Sequence, residues 1–445
     1  MRHTACRLVA LGSFLALLSI AADRPRYGGT LRLAMTDARA KEILSPLVFE
    51  RLVDFHGGQA KATLAVSWVH NTPRTRWRFR LRPDVRFHDG TPVSAEAVAG
   101  SLASGKNDWR AFTSGGDIII QASRPIPGLL WELAESRPPV VVRNPDGAEK
   151  GTGPFRISEW QEGSRAVLTA NNGHWAGRPF VDTITVELGR SSRDPVLDLE
   201  LGRTDVAEVD PAEARRASER GLRVWSSAPL ELWALRFEAG RSAGANDALR
   251  EAVAFAIDRP AIHAVLLQKR GEPAGGILPQ WISGYAHLFP SGRDIERARR
   301  AAASTPAALR SIVLVHGADP MERAVAERIA LNAREAGISV RTTGSGTADL
   351  RLVRVRITSV QAGGALGSIA DALRIPDFEP LPATASLDAI FRAEQALVEQ
   401  RVVIPLFHLP ELYATSPEVK VWTTPPVSRD GTLRLDSVWL ARERP

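Results

Sequence analysis

The stretch from Ser311 to Thr342 constrains the fold more than any other. Ser311 to His316 reads as a buried strand, and Asp319-Pro320-Met321-Glu322 opens a helix in the manner of a capping box. Gly337 ends that helix, and Ile338 to Thr342 returns as a strand. A strand, a helix and a strand in that order, with a connection long enough for a crossover, imply parallel pairing with the helix packed on the sheet. The pattern extends on both sides. Upstream, Leu249, Ala252, Val253, Ala256 and Ile257 recur at helical spacing, and Pro260 opens a further helix through Ile262 and Leu266. Downstream, Leu350 to Ile357 changes phase between Leu352 and Val353, which fits a bulge or a strand buried on both faces. Leu387 to Gln400 reads as a helix and Val402 to His408 as a strand.

The first half of the chain reads differently. Thr30 to Ala34 alternates as an early strand. Arg76 to Arg82 places Trp77, Phe79 and Leu81 on one face and four arginines on the other, the pattern of a half-buried antiparallel strand with a solvated arginine face. Pro92-Val93-Ser94-Ala95-Glu96 starts a helix with Ser94 as its N-cap and Val98, Ser101 and Leu102 on its buried side. Arg165 to Ala170 and Asp182 to Leu188 are further strands, and Asp194-Pro195 opens a helix that Gly202 closes. An α/β lobe thus follows a more β-rich one, with no internal repeat.

A chain of 445 residues is long enough for two or three domains, and 44% hydrophobic with 24% charged residues is globular. The net charge of +7 and a pI of about 10.0 bring nucleic acid to mind. The basic residues, however, are mostly arginines scattered among acids, without lysine blocks or an aromatic-basic RNA motif, so no nucleic-acid partner is assigned. The single cysteine, Cys6, excludes a disulfide framework and a cysteine-rich zinc module. It lies in an N-terminal segment with Arg2, His3 and Arg7, an apolar stretch from Leu8 to Ile20, and small residues at Ser19 and Ala21. That is the layout of a secretory signal over residues 1–21. The mature chain is then exported, free of cysteine, and held together by its core.

Catalytic motifs are absent from the sequence. Residues 100–107 resemble a phosphate-binding loop, but Asn107 replaces the hydroxyl needed for magnesium, and the run sits at the end of a helix. Gly151-Thr152-Gly153-Pro154-Phe155 is not a dinucleotide fingerprint, and there is no GxSxG elbow or HExxH pair. His88-Asp89 is a base–orienter pair only locally and reads as structural. No catalytic residue, metal or cofactor is assigned. Tryptophan is the more informative residue, with eleven in the chain. Trp77, Trp160 and Trp439 fit core positions. Trp109, Trp131, Trp233 and Trp281 lie in or near loops and element ends, where an amphipathic ring is placed to line a cleft, although core filling accounts for each one singly.

Several segments together resemble the extracytoplasmic solute-binding proteins of family 5, the peptide-, dipeptide- and nickel-binding components of ABC importers. LAVSWVHNTPRTRWRFRLRPDVRFHDGTPVSAEAVAGSL, from Leu64 to Leu102, is similar to that family's signature. GTGPFRISEWQEGSRAVLTANNGHWAGRPFVDTITVEL, from Gly151 to Leu188, resembles its second hallmark, and LREAVAFAIDRPAI, from Leu249 to Ile262, its third. AVAERIALNAREAGISVRT and IPLFHLPELY are weaker echoes in the same order. The residues themselves explain mostly scaffold. Asp89-Gly90 permits a tight turn, and Gly151 and Gly153 allow tight backbone geometry where the chain re-enters the main lobe.

The resemblance implies an α/β, two-lobed periplasmic binding protein fold, type II-like and class C, with an inserted β-rich subdomain. On that plan the main lobe takes residues 22–46, 151–240 and 405–445, the insertion residues 47–150, and the second lobe residues 241–404. The chain crosses between lobes near Gly240 and Pro405. It also implies a periplasmic, monomeric, non-enzymatic protein that encloses a small polar or peptide ligand and is recognised by an inner-membrane ABC permease. Trp109, Trp233, Trp281 and Asp371 are the candidate ligand-binding residues, with Asp377 as an alternative acid. One departure stands out. After Leu350 the Trp-x-x-Asp-Tyr-type segment of peptide-binding members is missing, and Ser359 to Asp377 is its compressed counterpart. That leaves peptide, nickel chelate and sugar open as ligands. A scaffold that has lost its cleft chemistry and serves a structural or regulatory role is the alternative.

Overall fold

The structure is a computed structural model that describes residues 24–35, 40–56, 59–103, 108–136, 142–143, 149–189, 194–375, 378–379, 381, 385–421 and 425–441. The expected signal segment, Cys6 and Asp377 lie outside the described residues.

An eleven-stranded sheet runs through both lobes. Its order is Phe155–Gln161, Arg165–Ala170, Thr183–Leu188, Thr30–Met35, Val206–Glu208, Val403–Thr415, Arg223–Phe237, Leu350–Arg356, Ser311–Val315 and Ser339–Thr343, with Glu272–Pro273 added beside Val403–Thr415. Ser311–Val315 pairs in parallel with Ser339–Thr343, as the strand–helix–strand unit requires. The intervening helix Pro320–Glu335 begins at Asp319, whose carboxylate accepts from Met321 N–H at 2.7 Å. The reciprocal half of a capping box is missing. The Glu322 carboxylate instead accepts from Gly317 N–H at 2.6 Å, upstream of the cap. Leu350–Arg356 pairs with residues 231–237 in unbroken register, so the phase change there is not a bulge. Leu350 and Leu352 pack on one face and Val353 and Val355 on the other.

Separate cores define the regions. Leu31, Leu33, Phe155, Ile184 and Tyr413 pack in the main lobe. The inserted subdomain has its own antiparallel sheet, in the order Ala65–His70, Arg76–Leu81, Asp117–Ala122, Trp109–Ser114. There the alternation of Arg76–Leu81 buries Trp77 and Phe79 and leaves Arg76, Arg78 and Arg80 exposed. Helix Ala95–Ala103 covers the sheet, with the Ser94 hydroxyl accepting from Ala97 N–H at 3.1 Å. The second lobe packs a core on each face of its sheet.

Two long strands, Arg223–Phe237 and Val403–Thr415, belong to both lobes. Trp225 and Tyr413 pack with the main-lobe core, whereas Trp233, Leu235, Phe237, Ile404, Phe407 and Leu409 pack in the second. Between these groups the register shifts at Ser226/Pro229 and Pro229/Glu231, and Pro229 stands opposite Pro410. Neither proline has an N–H to give the ladder. Each of these strands runs on from one core into the next without a loop between. At the start of the insertion, Leu47, Val48 and Phe49 pack in the main lobe and Leu52 and Val53 in the subdomain.

The return from the insertion explains the paired glycines. A Cβ on Gly151 would stand 2.0 Å from the Val48 carbonyl oxygen, and one on Gly153 2.7 Å from that of Leu47. Beside them, His88 N–H donates to the Gly151 carbonyl at 3.0 Å, and its ring Nε2 lies 3.1 Å from the Gly153 carbonyl oxygen. Asp89 accepts from Lys150 and from the hydroxyl and N–H of Thr91, which holds its carboxyl down at about 2. The His88-Asp89 pair is a clasp on this turn.

Candidate ligand-binding cleft

Where main lobe, insertion and second lobe meet, they leave a cleft of about 330 Å³. Helix Ala40–Val48 supplies Glu42, Ile43 and Pro46; the chain entering the insertion supplies Arg51, Asp54 and Phe55. Leu230 lines it from the crossing strand, Arg356 to Thr358 and Val360 from the second lobe, and Asp430 to Thr432 from the C-terminal part. Pro46 has no N–H for the carbonyl of Glu42 one turn earlier, so the last turn of this helix turns an irregular edge to the cleft. Phe55 stacks on Trp131, ring centres 3.4 Å apart, which fixes one apolar wall.

The floor is charged. Arg356 donates through Nε to Glu411 at 2.7 Å and through one terminal nitrogen to Glu42 at 3.0 Å. Burial alone would lower its pKa, but the two carboxylates raise it. Gly431, at φ +79°, lets the Asp430–Thr432 turn approach: a Cβ there would lie 2.6 Å from Leu230 Cδ1 and 3.1 Å from an Arg356 nitrogen. Burial pushes the Asp430 carboxyl up, but hydrogen bonds from the Ser428 hydroxyl and Thr432 outweigh it and hold the pKa below its ordinary value. Arg51 lines the same space.

None of the four residues singled out in the sequence is on this wall. Trp109 is 7% exposed in the core of the insertion, its indole N–H on Glu132 at 3.0 Å. Trp233 is 3% exposed in the second-lobe core, its N–H on Glu231 at 2.8 Å and the Arg354 guanidinium 5.2 Å from its ring centre. Trp281, half-buried, stands behind the wall: its N–H donates to the Pro229 carbonyl at 2.8 Å, and Arg429 lies 5.5 Å from its ring centre. Asp371 is exposed on helix Ala362–Ala372. The lining residues carried almost no local signal. Only Asp430-Gly431, a turn dipeptide, could have drawn attention, and it does not by itself point to a ligand. Among the described residues, no three His, Cys, Asp or Glu side chains are grouped to hold a metal ion.

Two lobes with separate cores, joined by two crossing strands and leaving a lined cleft between them, define a two-lobed binding protein. Residues 59–115 and 118–363 match the bacterial extracellular solute-binding proteins, family 5 (middle region), and the chain belongs to that family. It is 26% identical over 272 residues to the probable D,D-dipeptide-binding periplasmic protein DdpA of Escherichia coli K12, an alignment covering 53% of this chain and 52% of the relative. The chain thus spans about half the length of that relative. It is 25% identical over 413 residues to the nickel-binding periplasmic protein of the same organism, covering 80% of this chain and 76% of the other. Among solved structures, the dipeptide-binding protein of Pseudoalteromonas sp. SM9913 in complex with Met-Leu superposes with a TM-score of 0.78 at 14% identity, over 92% of this chain and 100% of that one. NikA of Brucella suis in complex with Fe(III)-EDTA gives 0.75 at 20% identity, over 92% and 99%. At such identities the likeness shows the fold alone. Among the described residues no helix is long and apolar enough to cross a membrane.

Proposed function

We propose that the chain is an exported, non-catalytic receptor that captures a small, dipeptide-sized polar solute between its lobes and presents it to an ABC importer in the bacterial envelope. The observation that carries this reading is the cleft itself, whose walls come from the main lobe, the insertion and the second lobe together. A solute touching all three favours the closed arrangement by its greater affinity for that state. The Pro229/Pro410 break in the two crossing strands supplies a place to bend. The volume of about 330 Å³ is at the small end of the range for small-molecule sites, about 300–1,000 Å³. The names of two relatives, both dipeptide-binding, support a cargo of that size, while a third is named for nickel. A scaffold that had given up binding has no need of an open, lined cleft, so the geometry favours the receptor.

The test is thermal unfolding against panels of dipeptides, metal chelates and small sugars. A solute at a hundred times its Kd is expected to stabilise the protein by about 2.7 kcal/mol. Thr358→Trp, which adds bulk at an exposed position on the wall, is expected to abolish that stabilisation while leaving the unliganded Tm nearly unchanged. If no solute in any panel moves the Tm of the unaltered protein, the receptor reading fails.

A further inference from the structure

We propose that the arginine-bearing face of the inserted sheet docks on an anionic lipid surface. The surface is separate from the solute site, since none of the four strands of this sheet supplies a residue to the cleft wall. Side chains alternate along each strand, and the register fixes which of them share a face. Trp77, Phe79, Ile118 and Ile120 turn to the subdomain core. The opposite face carries Arg76 and Arg110 in one row, with Gln121 between them, and Val69, Arg78 and Phe112 in the next. Arg80 follows beside Asp117. All four arginines are exposed, Arg78 and Arg80 with 55% and 73% of their side chains open to solvent.

These charges are poorly met within the protein. Arg76, Arg78 and Arg80 recur at every second residue, about 6.8 Å apart, and like charges so placed on one face repel. Asp117 is the single acid in the four strands, and it lies 3.9 Å from Arg78 and 4.0 Å from Arg80, the outer limit of an ion pair. Arg76 donates to the neutral Gln121 amide at 3.5 Å, and the guanidinium groups of Arg76 and Arg110 each stand 5.8 Å from the Phe112 ring centre. Arginines often guard a sheet edge against pairing, but Arg76–Leu81 lies inside this sheet, between Ala65–His70 and Asp117–Ala122, so that role does not account for them. A sheet face offers a broad plane rather than a pocket, which fits an extended anionic surface better than one small anion. The guanidinium fork matches phosphate oxygens in pairs. Among the arginines sit an apolar side chain, Val69 at 63% exposure, and the half-buried Phe112. Basic groups for the headgroups, with apolar and aromatic ones between them for the acyl boundary, favour a bilayer over an acidic protein.

The test is co-sedimentation of the exported chain with vesicles of phosphatidylcholine alone and of equimolar phosphatidylcholine and phosphatidylglycerol. Binding to the anionic vesicles only is expected, declining as ionic strength rises past about 0.1 M. Each arginine at such a surface contributes about fivefold to affinity. Replacing Arg76, Arg78 and Arg80 together by glutamine is therefore expected to weaken binding about a hundredfold. Glutamine at Arg300, Arg323 and Arg328, exposed on the second-lobe helices Ile295–Ser304 and Pro320–Glu335, removes the same charge elsewhere and is expected to keep most of the affinity. Should the first variant not fold, Arg78→Gln and Arg80→Gln singly, each expected to cost about fivefold, take its place. Equal losses in the two triple variants would assign binding to overall charge and overturn the proposal. So would equal binding to both kinds of vesicle, or binding to neither. If vesicles are refused while poly-aspartate is held, and released by the Arg76, Arg78 and Arg80 variant, the face serves an acidic protein and the lipid assignment is wrong. Each of these failures leaves the receptor reading of the cleft untouched.

Discussion

Glu394 shows how much one carboxylate contributes when it is placed in a core. It is fully buried on helix Leu387–Gln400, yet it accepts from the N–H groups of Ile277 and Leu278 at 2.6 and 2.9 Å and from the Tyr285 hydroxyl at 2.9 Å. A Cβ on Gly276 would stand 2.7 Å from its Oε1, so the glycine lets this loop close on the acid. Burial raises the Glu394 pKa, against the pull of those hydrogen bonds. A carboxyl with a raised pKa holds its proton more tightly folded than unfolded. Its contribution to stability is thus present below the unfolded-state pKa and lost as pH rises through the folded-state one. Glu394→Gln keeps the acceptor and mimics the protonated acid. It is expected to lie within about 1 kcal/mol of the parent at low pH and to remove that part of the pH dependence. Glu394→Ala, which strands three donors, is expected to cost about 3 kcal/mol in denaturant unfolding. Equal losses in both variants at every pH would show that the site answers to volume rather than to hydrogen bonding. None of this was legible in the sequence, because the partners lie far apart along the chain. The same holds for the cleft: Glu42, Phe55, Arg356 and Asp430 meet only after folding. Tryptophan type alone does not separate core from cleft, because an indole satisfied by a carboxylate, as Trp109 is by Glu132, serves in either.

Elements were read more faithfully than sites, because period and caps are local. The alternation of Arg76–Leu81 became a half-buried strand, and Asp194 and Asp319 each cap the helix they precede. What local pattern could not convey is that Arg223–Phe237 continues through two cores, since the chain has no turn signal at the point of crossing. The structure marks that point by hydrogen bonding instead. Ala228 N–H donates to the Arg429 carbonyl, and Glu411 N–H to the Ser227 hydroxyl, so a loop and a side chain stand in for the ladder beside Pro229 and Pro410. Amide exchange should follow. Ser227 and Leu230 are expected to exchange at least about tenfold faster than Leu232 to Arg236, which pair on both sides with Leu350–Arg356 and Val403–Thr415. Uniform protection along the whole strand, read by mass spectrometry, would mean that this waist is as rigid as the sheet it interrupts.

At the scale of the molecule, the Arg356–Glu42 ion pair spans the cleft. Arg356 sits at the end of a second-lobe strand and Glu42 on the first helix of the main lobe, and their contact at 3.0 Å joins the two walls. On the proposed closure about the Pro229/Pro410 break, opening separates the two groups, so the pair favours the closed arrangement before any solute arrives. Its strength is limited, because the Glu42 side chain is 48% exposed and water screens it; an ion pair of this kind is worth about 1 kcal/mol at most. That still moves an open–closed ratio by about fivefold. Glu42→Gln is therefore expected to raise the open fraction, seen as a larger radius of gyration in solution scattering, and to weaken solute binding by a similar factor because the binding-competent state is rarer. Salt is the second handle, since screening at about 0.1 M ionic strength already acts over about 10 Å. The unaltered protein is expected to open as salt rises, and the variant, having nothing left to screen at this contact, to respond much less. Scattering profiles that coincide for parent and variant at low and high salt would place the pair outside the closure equilibrium and leave the solute alone to draw the lobes together.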